Sequence, residues 1–331
     1  MRKVYALLLV LFLACAVAAG WLYWYVITPS PGSGEVTVTI PKGAGVRQIG
    51  QLLDKAGLLH YDLRFLVLVK WTDSATRLQA GEFQIARGLP PGEVLEHLRS
   101  GMTVQHPVII PEGLTLVEIA EAFSAQGWGR KARFIALARD PAFLHDHGLE
   151  ERSAEGYLFP DTYALARGEA DEAGILGRMI ARFFQVWKTL EPEEATISRH
   201  EVVTLASIVE KETGAAMERP MIAAVFFNRL HLGMRLQSDP TVTYGVAGST
   251  GRLTRKDLQR PTPYNTYVIK GLPPGPICNP GRASLQAVLQ PDVTNALYFV
   301  SKNDGTHHFS RTLKEHNQMV RKYQLSRGKK Q

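Results

Sequence analysis

The apolar positions of this 331-residue chain begin with a single long block. Val4 to Ile27 runs 24 residues without a charge, behind Arg2 and Lys3. At 1.5 Å rise per residue such a helix spans about 36 Å, more than the roughly 30 Å of hydrocarbon in a bilayer. Trp21, Tyr23, Trp24 and Tyr25 stand at its far end, where amphipathic rings favour the membrane interface. The pattern predicts a membrane-anchor helix, with the two basic residues cytoplasmic and everything after about residue 28 beyond the membrane. A cleaved signal peptide would use the Ala-rich residues 14–19, but the apolar run continues well past them. A lipoprotein site at Cys15 would have Phe12 where Leu is usual. Residues 29–35, rich in Pro, Gly and Ser, read as a flexible linker.

The pattern then changes period. Val36 to Ile40 alternates apolar and polar residues, as a half-buried strand does. Pro41-Lys42-Gly43 turns the chain, and Val46, Ile49, Leu52 and Leu53 follow at helical spacing. Seventy residues on, Ile110-Pro111-Glu112-Gly113 leads into Leu116, Ile119, Ala122 and Phe123 in the same order. A looser third copy runs from Glu82 to Ile85, through Gly88 to Gly92, into Val94, Leu95 and Leu98. These repeats read as a duplicated strand–turn–helix unit. Such units resemble LysM-like modules, which bind glycans containing N-acetylglucosamine; a plain scaffold would have the same pattern. Helices are predicted over Leu114–Ala125, Lys131–Ala138 and Glu172–Thr189. Between the last two lies the turn-rich, aromatic stretch from Glu155 to Tyr163.

From Val202 to Val209 the chain is strongly apolar at helical spacing, and Glu210-Lys211-Glu212-Thr213 follows directly. Burying a carboxyl raises its pKa, which keeps a proton available near neutral pH for general acid catalysis. Glu210 and Glu212 lie about 200° apart on a helix, so only one of them can face a given cleft. Glu212 continues the side carrying Leu205, Ile208 and Val209; Glu210 borders the side of Val203 and Ala206. Helical phase favours Glu212 only slightly.

Composition narrows the chemistry. A net charge of +7 is too diffuse to imply nucleic acid and suits an anionic membrane or wall polymer equally. Cys15 and Cys278 are the only cysteines, too few for a disulfide framework or a cysteine zinc site. His307-His308 lacks neighbouring ligands and reads as structural, and neither a phosphate loop nor a dinucleotide fingerprint occurs. No metal and no cofactor are therefore expected. The Ser-x-x-Lys of a serine acyl-transferase matches only Ser326–Lys329 in the basic tail, without a Lys-Thr-Gly.

The segments from residue 228 onward combine amides, aromatics, two Arg and one Asp, the groups that hold a polyhydroxylated, amide-bearing ligand. In order they are Asn228-Arg229-Leu230, Arg235 to Val242, Tyr244-Gly245, Tyr264-Asn265-Thr266-Tyr267 and Gly271-Leu272-Pro273-Pro274-Gly275. With Ala206 to Thr213, these segments make residues from about 36 to 325 resemble the YceG-like family of endolytic murein transglycosylases. The resemblance implies that the Glu of the Glu-Thr pair, here Glu212, is the catalytic acid. It implies cleavage of the N-acetylmuramic acid–N-acetylglucosamine bond in peptidoglycan, leaving 1,6-anhydromuramyl ends. Asn228, Gln237, Asp239, Tyr244, Tyr264 and Asn265 become candidates for holding substrate, and Arg235 for meeting a lactyl or peptide carboxylate. Glu218 is expected at the surface, with a place in the cleft as the alternative.

The expected architecture is α+β: cytoplasmic N-terminus and membrane helix over 1–28, linker over 29–35, LysM-like units over 36–125, a helical connecting region over 126–195, and a mixed α+β catalytic domain over 196–331. The expected partners are glycan strands, the inner (cytoplasmic) membrane, crossed once, and peptidoglycan synthases. The alternative is a non-enzymatic, membrane-anchored peptidoglycan-binding scaffold.

Overall fold

A computed structural model describes residues 2–190, 196–246 and 253–325. The Ser326–Lys329 match and the end of the expected catalytic region lie outside the described residues. The chain forms a mixed α+β structure of two units, one holding residues up to Val108 with Tyr163–Asp171, the other Ile109–Thr162 with Glu172 onward. The expected 36–125 region is thus divided between them at residue 108.

The first unit begins with α1 (Arg2–Ile27), a single helix long and apolar enough to cross a membrane. Among its described residues only Tyr25 is buried. Next come β1 (Glu35–Ile40), α2 (Val46–Lys55), α3 (Leu63–Trp71), β2 (Gly81–Ala86), α4 (Pro91–Ser100) and β3 (His106–Ile109), the last paired with β4 (Thr162–Leu165). β1 and β2 pair antiparallel, from Glu35 opposite Ala86 to Ile40 opposite Gly81. Alternation then sends Val38, Ile40, Phe83 and Ile85 to one face, over Ile49, Leu53, Phe65 and Leu68. The strands of the first and third sequence copies are therefore two halves of one β–α–α–β unit. Ser30 ties the segment expected as a flexible linker: its N–H donates to Leu89 O, and its hydroxyl accepts from Gly88 N.

The second unit contains α5 (Leu116–Ala125), α6 (Lys131–Leu137), α7 (Pro141–Asp146), α8 (Glu172–Lys188), α9 (Arg199–Glu212), α10 (Arg219–His231), α11 (Pro240–Thr243), α12 (Arg255–Leu258), α13 (Arg282–Leu289), β5 (Tyr298–Ser301), β6 (His307–Ser310) and α14 (Leu313–Val320). Every residue of α9 from Val202 to Val209 is buried, because α10, α11 and α13 pack around it. A capping box fixes its start: Ser198 Oγ accepts from Glu201 N, and Glu201 in turn accepts from Ser198 N. β5 and β6 form an antiparallel hairpin beside α14.

Candidate active site

The two neighbouring carboxylates at the end of α9 go separate ways. Glu210 Oε1 accepts from Arg219 Nη2 at 3.2 Å, and its Oε2 accepts from the backbone N–H of Gly281 at 2.9 Å. It pins the start of α10 and the approach to α13. Glu212 lines a cavity of about 480 Å³ with Arg229, Gln237, Asp239, Tyr267, Tyr298 and His307. Thr213 Oγ1 donates to Val209 O at 2.6 Å, holding the helix end in place.

The Ser238 hydroxyl donates to Glu212 Oε1 at 2.6 Å, and the Asp239 backbone N–H lends the carboxylate a weaker contact. Among the described residues Glu212 has no ion pair. Burial raises its pKa above the ordinary carboxylate value; Ser238 opposes that, the charge of Asp239 adds to it, and His307 draws it down. Ser238 is itself fixed by buried hydroxyls: its N–H donates to Thr266 Oγ1 at 2.9 Å, and Thr241 Oγ1 donates to its carbonyl at 2.6 Å. Just before it, Gln237 has φ +53°, a left-handed conformation uncommon for a residue with a side chain. That turn carries the chain from buried Leu236 to buried Ser238 while Gln237 stays exposed at the cavity.

Arg229 supplies the cationic wall. Its Nε donates to Leu297 O at 2.7 Å and its Nη1 to Leu236 O at 2.8 Å, with the guanidinium 5.1 Å from the Tyr298 ring centre. Tyr267 Oη donates to Asp239 Oδ1 at 2.6 Å. His307 Nδ1 lies 2.7 Å from Glu218 Oε2, and its backbone N–H also donates to that carboxylate. Glu218 is thus a half-buried support behind a cavity residue, and not the surface group expected. His307, expected to be merely structural, faces the cavity.

The remaining candidates separate by position. Gln237 and Asp239 share the Glu212 cavity. Tyr244 and Tyr264, ring centres 4.7 Å apart, line a second cavity of about 680 Å³ with Glu151, Glu155, His200 and Pro276. The Asn228 amide donates to Thr294 O and Ala296 O. Fully buried Asn265 donates to Asp257 O, Leu258 O and Arg260 O, and accepts from Tyr267 N. Both asparagines hold loops. Arg235 is exposed and does not line the Glu212 cavity. Arg229, Ser238 and Tyr267 lay inside quoted segments, but spacing alone gave no reason to prefer them.

The second cavity has its own carboxyl. Glu155, 6% exposed, accepts from Leu116 N, Asn279 Nδ2 and Tyr244 Oη. Desolvation outweighs those donors and pushes its pKa up to about 7. Gly156 beside it has φ +88°, and a Cβ there would lie 2.4 Å from Pro276 Cγ, so the turn requires glycine.

Replacing Ser238 with Ala removes a donor that favours ionised Glu212, so the Glu212 pKa should rise further. The alkaline limb of the pH–rate profile should move up by about one pH unit, since a hydrogen bond to a charged group is worth about 1.5 kcal/mol. A limb that stays or moves down in a pH-resolved assay would break the link between the two side chains.

Residues 38–322 match the model of the YceG-like family. An endolytic murein transglycosylase of Bacillus subtilis (strain 168) is 34% identical over 313 residues, covering 89% of this chain and 86% of that protein. One from Streptococcus pneumoniae serotype 2 (strain D39 / NCTC 7466) is 31% identical over 359 residues, covering 96% of this chain and 65% of the relative. A crystal structure of a YceG-like protein from Listeria monocytogenes superposes with a TM-score of 0.60 at 32% identity, covering 87% of this chain and all of that one. With the family model spanning most of its length, this chain belongs to the YceG-like family.

Proposed function

We propose that this chain is an endolytic murein transglycosylase, a lyase that cuts peptidoglycan glycan strands at the N-acetylmuramic acid–N-acetylglucosamine bond. The observation that carries the reading is Glu212: a half-buried residue whose carboxyl is desolvated enough to raise its pKa, free of any cation pair among the described residues, facing a cavity. Relatives covering most of the chain bear that enzyme's name. Protonated Glu212 donates to the glycosidic oxygen as the C1–O bond breaks and positive charge develops at C1. The carboxylate so formed takes the proton from the muramic acid 6-hydroxyl, whose oxygen bonds to C1 and closes the 1,6-anhydro ring. One carboxyl serves both steps, and the tethered hydroxyl has a large effective concentration over water. Gln237, Asp239 and Tyr267 are read as sugar-holding groups, and Tyr244 with Tyr264 as a more distant stacking platform. The β1–α2–α3–β2 unit is read as the LysM-like glycan-holding module, and α1 as a single-pass anchor with Arg2 and Lys3 cytoplasmic.

The test is mass analysis of strands released from purified glycan. Anhydro ends support the reading, reducing ends would make the enzyme a hydrolase, and binding without new ends would make it a scaffold. Glu210→Gln serves as the control. It keeps an acceptor for Gly281 but leaves Arg219 only the more distant carboxylate of Glu112, 3.8 Å away, so stability should fall by up to about 3 kcal/mol while turnover of the folded fraction stays within severalfold. Loss of turnover comparable to that of a Glu212 variant would mean that the two carboxylates act as a coupled pair.

A further inference from the structure

Helix α3 is apolar on every side. Of its nine residues, Leu63 to Trp71, only Arg64 and Lys70 are charged. Phe65, Leu68 and Val69 point into the core of the first unit. Leu63, Val67 and Trp71 succeed one another at four-residue intervals, spanning an arc of about 80° centred about 150° from the buried side. They are 64%, 40% and 73% exposed. A helix hydrophobic all round is ordinarily buried all round, and among the described residues nothing covers that arc of this one.

What covers it follows from its neighbour. Arg64, at the start of α3, holds its guanidinium 5.0 Å from the Trp21 ring centre and 4.6 Å from that of Tyr25, at the aromatic end of α1. Asp62 fixes the guanidinium there, accepting from Nε at 2.9 Å. Tyr25 Oη donates to His60 O at 2.7 Å, joining the same helix end to the loop before α3. The bare stripe is therefore continuous with the end of the hydrophobic anchor. Beside it lies a cavity of about 570 Å³ lined by Trp24, Tyr25, Arg64 and Arg87, among others. The Arg87 guanidinium has no ion pair among the described residues. Lys70 borders the stripe, where its ammonium can reach outward from its apolar stem.

We propose that α3 is an interfacial helix whose Leu63–Val67–Trp71 face is seated in the phospholipid bilayer surface at which α1 emerges, with Arg87 and Lys70 meeting lipid phosphates. The proposal rests on α1 being the membrane anchor. A stripe of large apolar side chains flanked by cations is the composition that binds the headgroup–acyl boundary. A transmembrane helix alone leaves the attached unit free to swing; a second contact would fix the first unit's orientation against the membrane.

The test uses the full chain in vesicles of phosphatidylethanolamine and phosphatidylglycerol, on a Cys15→Ser background, with Cys278 buried and unreactive. Fluorophores are attached through Leu13→Cys, Val67→Cys, Trp71→Cys or Gln84→Cys, the last on the outward face of β2. Labels at 67 and 71 should be blue-shifted and quenched by lipids carrying a shallow spin label; the label at 13 should respond to a deep one, and that at 84 to neither. Adding Leu63→Glu, at an exposed position, should abolish most of the shift at 67 with the circular dichroism unchanged. Quenching at 13 with labels 67 and 71 behaving like 84 overturns the proposal and leaves the anchor standing. Absence of quenching at 13 removes the anchor and the proposal together. A blue shift at 71 insensitive to lipid quenchers would mean that another protein copy covers the stripe, and also overturns it.

Discussion

Glu212→Gln should reduce anhydro-product formation by at least about 10⁴-fold while leaving folding and glycan binding intact. General acid–base catalysis is worth roughly 10²–10⁴-fold for one proton transfer, and here the same carboxyl gives a proton in one step and takes one in the next. Gln keeps the volume and can still accept from the Ser238 hydroxyl at the position of Oε1, so the cavity should keep its shape. The pH profile supplies the second readout. Burial raises the Glu212 pKa, so the reactive, protonated form persists towards neutral pH and is lost as pH rises through the raised value. Wild-type activity should fall on the alkaline side, and that limb should vanish from the residual activity of the Gln variant. Near-normal turnover in Glu212→Gln would move the acid elsewhere; inactivity of Glu210→Gln would point two residues back, to the group that pairs with Arg219.

The parts of this molecule that were legible in sequence are those where local periodicity matches burial. The uncharged run became α1, the alternation at Val36–Ile40 became β1, and the apolar stretch at 202–209 became the buried α9. Helical phase separated Glu210 from Glu212 but could not say which faced a cavity, because Arg219 and Gly281 come from elsewhere in the chain. Similarly, the repeat suggested separate units, whereas the pairing of Glu35 with Ala86 is a long-range event that no local pattern encodes. The loop amides show the same limit. Asn265 has the composition of a ligand-binding residue, yet spends its hydrogen bonds on carbonyls of its own loop. Arg229 and Ser238 matter because α10, the 235–238 turn and the 297 carbonyl converge, and convergence is a property of the fold.

Asn279→Ala should destabilise the second unit by about 3–5 kcal/mol, a large share of the 5–15 kcal/mol typical of a folded domain. The buried Asn279 carboxamide joins three segments distant in sequence. Its Oδ1 accepts from Gly156 N and Leu158 N, both at 2.9 Å; its Nδ2 donates to Leu114 O at 2.9 Å and to Glu155 Oε1 at 3.0 Å. Truncation strands two buried N–H donors at roughly 1–3 kcal/mol each and leaves a cavity. Denaturant midpoints for the second unit should show this loss directly; a change below about 1 kcal/mol would mean that water takes over all four bonds. Glu155 adds a pH signature to the same network. Its folded pKa, about 7, lies above the ordinary carboxyl value of 4.5, so the native state binds the proton more tightly than the unfolded chain. Its contribution to stability is complete below about pH 4.5 and is lost as pH rises through 7, amounting to about 3 kcal/mol. Glu155→Gln, which cannot ionise, should flatten that slope between pH 4.5 and 7.5, its amide oxygen accepting from Leu116 N and Asn279 Nδ2 while its NH2 donates to a reoriented Tyr244 hydroxyl. An unchanged slope would assign the titration to another group and would leave Glu155 ionised among its three donors.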